Sequence, residues 1–489
     1  TWVEPEENPA SFEKIKAFLD EKGVKYEVTE HKAVLTSEEA AEVRGVPLAT
    51  GAKAMLIKAA AQRWDVDPKS CNASKGVITN AKGDRLDYGS VATEAADLEI
   101  PENVTLKDPK DYRIIGTNAI NVDMDKIVTG KPLFGLDYKR KGMMTCCILR
   151  PPAFGQKLES YDDTAARKVN GVEEIVQISD KVAVVARNTW SAMKGKKALQ
   201  ATWKDVGNLE SSEDHERILS DILDGQDFNI KRTDGDVVRA FEEADQILER
   251  TYHAPFMPHN CMEPMNFFAH VTDEKVDLVG PIQTPAGTAQ NIADKLGRDL
   301  NTVSVEMTRM GGGFGRRLYG DFAMEAAEVS AKIGKAVKVV FSREDDMTDG
   351  IYRPAQKFRI KAAIKDGQIS AYQLKEATVN RGMWDSLASY FPATAIDNLQ
   401  ILSKQHTSPI TTGAWRAPVT HFMAVAEQSF FSELAEMLEM DHKELMIQLL
   451  KKAQSKNDEN REWSPERMMK TIELAAEKAK WDQAIVPKG

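Results

Sequence analysis

Apolar residues recur with two different periods on either side of residue 310. Over residues 302–308 they fall at every second position (Val303, Val305, Met307), the period of a half-buried strand. Over 319–334 they fall at helical spacing and the pattern stops at Gly334, which predicts an amphipathic helix. A further strand is predicted over 337–341. Between the first strand and the helix lies a stretch with almost no side chain, Met310-Gly311-Gly312-Gly313-Phe314-Gly315-Arg316-Arg317.

The same reading runs along the rest of the chain. Residues 11–22 predict a short helix capped by Ser11, 24–29 a strand, and Thr36-Ser37-Glu38-Glu39 a capping box opening a helix that stops at Gly45. A strand or buried segment is expected over 54–58, a helix over 59–64, a hairpin over 76–86 and a small helix over 90–96. Residues 101–116 read as a Pro- and Lys-rich connector. Strands are then expected over 144–149, 165–169, 172–177 and 181–187, with a helix over 189–199. Residues 204–227 read as a polar linker carrying one helix, 212–223. Beyond it come a helix over 237–244, strands over 246–252, 265–271 and 276–279, and a helix from 284 to 296 ended by Gly297. A hairpin is predicted around Asp366-Gly367, followed by three helices: 422–440, one capped by Asp441, and one started by Ser464-Pro465.

Composition narrows the classes. The chain has 489 residues, 42 % hydrophobic and 29 % charged, enough for two or three ordinary globular domains. Lys and Arg number 65 against 75 Asp and Glu, a net charge of −10, which argues against a nucleic-acid or anionic-membrane surface. No apolar run approaches the ~18 residues of a membrane span. The four cysteines are too few for a disulfide scaffold, and without a Cys-x-x-Cys they offer no zinc ribbon or iron–sulfur ligand set. Cys146 and Cys147 fall inside an apolar strand-like run and read as small buried hydrophobes.

The glycine stretch is the candidate for chemistry. Glycines let backbone N–H groups approach a ligand closely, and a strand–loop–helix order sets such donors at a helix N-terminus. Two arginines close the run, a combination suited to an anionic, phosphate- or oxo-bearing group. Neither nucleotide fingerprint fits: Arg316 and Leu318 stand where the last glycine of G-x-G-x-x-G belongs, and no Gly-Lys-Ser/Thr follows.

With Gly280-Pro281-Ile282-Gln283-Thr284-Pro285 before it and Thr412-Gly413-Ala414-Trp415-Arg416-Ala417-Pro418 after it, the loop resembles the molybdopterin-binding subunit of the xanthine dehydrogenase/aldehyde oxidase family. Within that family the chain resembles the isoquinoline 1-oxidoreductase beta-subunit type. Further matches are residues 128–137, 259–266 and 341–347, in the family's order from about residue 59 onward. The resemblance implies a molybdenum–molybdopterin cofactor, with the cytosine dinucleotide form among the options. Gly312, Gly313, Phe314, Gly315 and Arg316 would bind it, and Gln283 would reach the metal's oxo ligand through its amide. With Gln283, Arg416 and Trp415 would serve catalysis, Arg416 orienting substrate or cofactor and the Trp415 indole forming an apolar wall. His259 and Glu263 match more weakly, and Met262-Glu263-Pro264 reads equally as a turn. The family's general-base glutamate, in a Gly-x-Gly-Glu setting, and its Gly-Gln-Gly segment have no counterpart in these residues.

Residues 1–57 resemble something else, the start of a prolyl-tRNA deacylase-type editing domain. The match rests on Val28-Thr29-Glu30-His31, residues 35–48 and Gly51-Ala52-Lys53-Ala54, with Lys53 where that family keeps its functional lysine. The later parts of that domain are not found.

The fold expected is therefore α+β: a small α/β piece (1–57), a helix and hairpin connector (58–124), an α/β hammerhead domain (125–205) and a larger mixed α/β molybdopterin-binding domain (206–489), partly represented. The function implied is oxidation of an aldehyde or N-heterocycle with oxygen from water, electrons leaving through an iron–sulfur subunit. Aminoacyl-tRNA deacylation and a non-catalytic fusion are the alternatives. No signal peptide is visible at Thr1, and the periplasm or cytoplasm of a bacterium both remain open.

Overall fold

The computed structural model describes residues 52–98, 108–380, 389–417, 421–456, 458, 461 and 463–483. The elements expected over 11–45 lie outside the described residues. The described chain opens on a helix, Ala52–Trp64, so residues 54–58 are helical and not a strand. Alanine accounts for this: it has the highest helix propensity, and Met55, Ala59 and Ala60 recur at helical spacing on one buried face. That face covers a small sheet, β1 (Asn72–Ser74), β2 (Val77–Thr79) and β3 (Arg85–Asp87), closed by the helix Ala92–Ala96.

Seven strands then build the central sheet. From the middle of the chain it takes β4 (Met144–Leu149), β6 (Val172–Ile178) and β7 (Lys181–Ala186), while β5 (Gln156–Asp162) and β8 (Gln200–Asp205) pair with each other as a separate two-stranded sheet. After β9 (Asn229–Asp234) and β10 (Gln246–Ala254) follow β11 (Asn266–Val271), β12 (Val276–Gly280), β13 (Val303–Met307) and β14 (Val337–Val340). The sheet order is β13-β12-β11-β14-β4-β7-β6, so one hydrogen-bonded layer runs across the boundary expected at residue 205. Its middle strands β11 and β14 carry near-continuous apolar runs, as strands covered on both faces do. Residues 165–169, expected as a strand, instead include the short helix Thr164–Arg167, where Ala165 and Ala166 favour helix and Arg167 pairs with Asp163 one turn back.

The second large sheet adds β15 (Gln356–Lys365), β16 (Gln368–Val379) and β17 (Asn398–His406) in the order β10-β15-β16-β17-β9. The helices His421–Met437 and His442–Ser455 close its core, built on Phe358, Tyr372, Phe430, Phe431 and Leu450.

Strand direction decides where a ligand can sit. β12 and β13 are parallel, as are β14 and β4, while β11 is antiparallel to β12 and β14. The carboxyl ends of β12 and β13 and the start of β11 therefore share one edge of the sheet. The edge beyond the carboxyl ends of parallel strands is where open α/β sheets bind ligands. Gln283, the glycine loop and residues 259–263 all fall there.

Candidate cofactor site

The glycine loop leaves β13 and turns into the helix Asp321–Ile333, and its conformation requires glycine. Gly312 and Gly315 have φ of 105° and 101°, and Phe314 between them has φ 53°. A side chain on Gly315 would lie 2.2 Å from the Ala414 carbonyl oxygen, and one on Gly313 2.7 Å from Gln283 Oε1. The loop is thus pressed against two other segments of chain, those carrying Gln283 and Trp415.

Those contacts are hydrogen-bonded. The Gly315 N–H donates to Gln283 Oε1 at 3.2 Å, and the Gln283 N–H donates to the Arg317 carbonyl at 2.9 Å. Because Oε1 is the acceptor, the exposed end of Gln283 is its Nε2 donor. The Arg416 N–H donates to the Phe314 carbonyl at 2.8 Å, the Ala414 N–H donates to the Tyr319 hydroxyl at 2.5 Å, and His259 Nε2 donates to the Ala414 carbonyl at 2.8 Å. The His259 ring meets Trp415 edge-on at 6.2 Å, and the Arg353 guanidinium stands 5.1 Å from the indole centre. Burial pulls the Arg353 guanidinium below its ordinary value. Arg416 itself is exposed and makes no ion pair with a described residue.

Within the loop, Gly311 and Gly315 spend their N–H groups on Glu263 and Gln283, and Arg316 spends its own on the Gly313 carbonyl. The amides of Gly312, Gly313 and Phe314 donate to no described residue. Three consecutive unspent donors beside a half-exposed aromatic ring make a cradle for oxygen-rich ligand atoms. The donor set fits an oxo-bearing pterin–metal group: neutral N–H groups and one neutral amide.

The two arginines do something else. Arg316 is 2 % exposed and pairs both Nη atoms with Asp321 at 2.6 and 2.8 Å. Burial alone would lower its pKa, but Asp321 holds it above the ordinary value. The expectation that its charge faces the ligand is corrected: the guanidinium is spent inside, one turn from the loop. Arg317 is fully buried; its Nε donates to the Gly312 carbonyl at 2.7 Å and its Nη2 to the Glu263 carbonyl at 2.8 Å. Lys53 belongs to the helix Ala52–Trp64 of the small N-terminal unit, whose core is separate from the sheet edge that carries the loop.

The structure thus brings together Gln283, Gly312, Gly313, Phe314, Gly315, Trp415 and Arg416, and turns Arg316 away. Glu263, Tyr319 and Arg353 also shape this region. Their signal was weak in sequence, since each acts through partners far off in the chain. Two surface hollows elsewhere, lined by Lys443, Glu444, Glu473 and Asp482 and by Trp463, Arg467 and Ile472, lie on the C-terminal helices and share no residue with the loop.

The profile of the molybdopterin cofactor-binding domain matches residues 221–448, a span that holds all of the assembled residues. The chain is 27 % identical to isoquinoline 1-oxidoreductase subunit beta of Brevundimonas diminuta, over 70 % of this chain and 49 % of that protein. It is 26 % identical to the nicotinate dehydrogenase large molybdopterin subunit of Eubacterium barkeri, over 69 % of this chain and 89 % of the relative. Among solved structures it shares the fold of the aldehyde oxidoreductase from Desulfovibrio desulfuricans, with a TM-score of 0.62 and 16 % identity across 81 % of this chain and 51 % of the other. The chain spans about half the length, or less, of several curated relatives it matches. Its mixed helix and sheet fold and its matched domain agree: the chain carries a molybdopterin cofactor-binding domain over residues 221–448 and is similar to large subunits of molybdopterin-dependent oxidoreductases.

Proposed function

We propose that this chain supplies one side of the cofactor cradle in a molybdenum hydroxylase that oxidises an aldehyde or an N-heterocycle. The observation that carries the reading is the row of unspent amides at Gly312, Gly313 and Phe314, flanked by the free Nε2 of Gln283. When bound, the molybdenum–molybdopterin group supplies two-electron oxidation, with the inserted oxygen drawn from water.

The chain's own residues bind and orient. Gln283 donates from a neutral amide, which steadies an oxygen ligand without adding charge. The Trp415 indole, braced by His259 and Arg353, offers a flat apolar wall. Arg416 supplies an exposed cation beside it for an electron-rich part of the substrate. Arg316, paired with Asp321, acts as a brace behind the loop. In this reading the general base comes from a separate chain of the enzyme, and electrons pass to an iron–sulfur subunit. The comparisons lend the deacylase alternative for residues 1–57 no support.

Metal analysis of the purified protein, with pterin fluorescence after oxidative release, tests the reading. About one molybdenum and one pterin per chain are expected, and Gln283→Ala should lower aldehyde or N-heterocycle oxidation at unchanged molybdenum content. A folded protein that carries neither, with or without its partner subunits, would overturn it.

A further inference from the structure

Glu263 lies under the glycine loop, 6 % exposed, and every side of its carboxylate is occupied. Oε1 accepts from the Leu136 N–H at 2.9 Å and from Asn266 Nδ2 at 3.0 Å. Oε2 accepts from the Gly311 N–H at 2.8 Å and stands 3.3 Å from Arg317 Nη2. The backbone of the same residue exchanges two more bonds with the loop: its N–H donates to the Gly311 carbonyl at 3.0 Å, and its carbonyl accepts from Arg317 at 2.8 Å. A side chain at position 311 would meet Glu263 Cβ at 2.4 Å.

The turn that supplies Leu136 is itself fixed from behind. Asp137 Oδ2 accepts from the N–H groups of Leu133 and Phe134, and the buried Lys338 Nζ donates to the carbonyls of Leu136 at 2.8 Å and Tyr138 at 2.9 Å. Burial pulls the Lys338 ammonium below its ordinary value. Gly135 is required here, since a side chain would lie 2.3 Å from Asn266 Oδ1. Residues 133–138, distant in sequence, thus form the rear strap of the loop.

We propose that Glu263 is a positioning residue. By ending the donor row at Gly311 and clamping Arg317, it holds the next three amides in one orientation, without touching a ligand itself. The proposal rests on the cofactor reading for its purpose, though the geometry it asserts exists without a ligand. Glu263→Gln is the informative change: it keeps size and removes charge, and it sets an NH2 against two of the four donors that now converge on the carboxylate.

The test is hydrogen–deuterium exchange of peptides covering residues 310–315 in the full chain, for wild type, Glu263→Gln and a control, Leu449→Ala, from the other core. Exchange of the hydrogen-bonded Gly311 and Gly315 N–H groups in these peptides should rise at least about tenfold in Glu263→Gln, the equilibrium equivalent of one charge-assisted hydrogen bond, and stay at the wild-type rate in Leu449→Ala. Unchanged exchange in Glu263→Gln, or an equal rise across the whole chain, would overturn the positioning role. Molybdenum and pterin content is read on the same samples. A wild type without either, but with the local exchange difference intact, removes the cofactor reading and leaves the positioning role standing.

Discussion

Glu263 and Glu427 are both buried carboxylates, one in each large sheet's territory, and their surroundings could hardly differ more. Glu263 is met by two backbone N–H groups, an amide and a guanidinium. Glu427, on the helix His421–Met437, accepts from Gln428 Nε2 at 3.2 Å, and burial pushes its pKa up to about 8. Nearby the Tyr372 hydroxyl is buried with no hydrogen-bond partner among the described residues, and its ring stacks on Phe431 at 6.0 Å. The comparison teaches how each region uses polarity. Around the loop, buried charges are compensated by specific partners. In the second core, packing does the specifying, and a stray carboxyl is tolerated by keeping its proton.

The largest expected effect comes from breaking compensation in the first region. Arg150, 4 % exposed at the side chain, lies between Glu325 and Asp349, and its guanidinium also covers the Phe341 ring at 3.8 Å. Glu325 belongs to the helix that the loop enters, and Lys181 reaches it at 2.6 Å. Arg150→Met leaves the buried Glu325 and the partly buried Asp349 with less than their share of positive charge. A loss of about 3–5 kcal/mol is expected by urea denaturation. A loss under about 1 kcal/mol would mean that this network is not what braces the helix behind the loop.

Gly315→Ala comes next. The added methyl must meet the Ala414 carbonyl at 2.2 Å, a backbone atom that cannot swing aside, at a φ that L-residues avoid. Strain and overpacking together cost about 2–4 kcal/mol. The better readout is local: protection of the Arg416 N–H, which bonds to Phe314, should fall by at least about tenfold if the two segments separate. Retained protection would show that the loop and the Trp415 segment are not mutually dependent.

The strand–loop–helix unit at 303–333 was legible because its cues are local. Alternation marks β13, Gly334 caps the helix in the left-handed conformation, and four glycines announce the turn between. The hairpin of β15 and β16 and the Gly297 stop are legible for the same reason. What stayed hidden depends on partners far along the chain. β17 is held by parallel pairing to β16, and β5 and β8 lie in polar stretches that only their mutual pairing makes strands. Adjacent arginines at 316 and 317 look like a cationic mouth until Asp321 and Glu263 claim them. Glu263 looked like a turn residue because three of its four partners stand more than forty residues away.

Glu427 yields a pH test of the second region. Its folded pKa of about 8 lies above the ordinary 4.5, so the folded state keeps a proton that the unfolded chain releases across that window. Stability therefore falls as pH rises from about 4.5 to 8, with a slope of up to about 1.4 kcal/mol per unit from this one group. Glu427→Gln removes that component. Its stability should match wild type near pH 5 and exceed it near pH 8. Parallel profiles for the two proteins would mean that the carboxyl reaches water and is charged.

The smallest effect on the fold is expected at Arg416, and that smallness is the point. Its backbone is fixed by Phe314, but its guanidinium is exposed and unpaired among the described residues, so Arg416→Ala should change stability by no more than about 0.5 kcal/mol. If the proposed role is right, the same change weakens substrate handling at full molybdenum content, raising KM before kcat for substrates with an electron-rich edge. An Arg416→Ala enzyme with unaltered kinetics would confine the functional surface to the loop amides and Gln283. A large loss of stability would place Arg416 with Arg150 and Arg317, among the cations that hold the fold together.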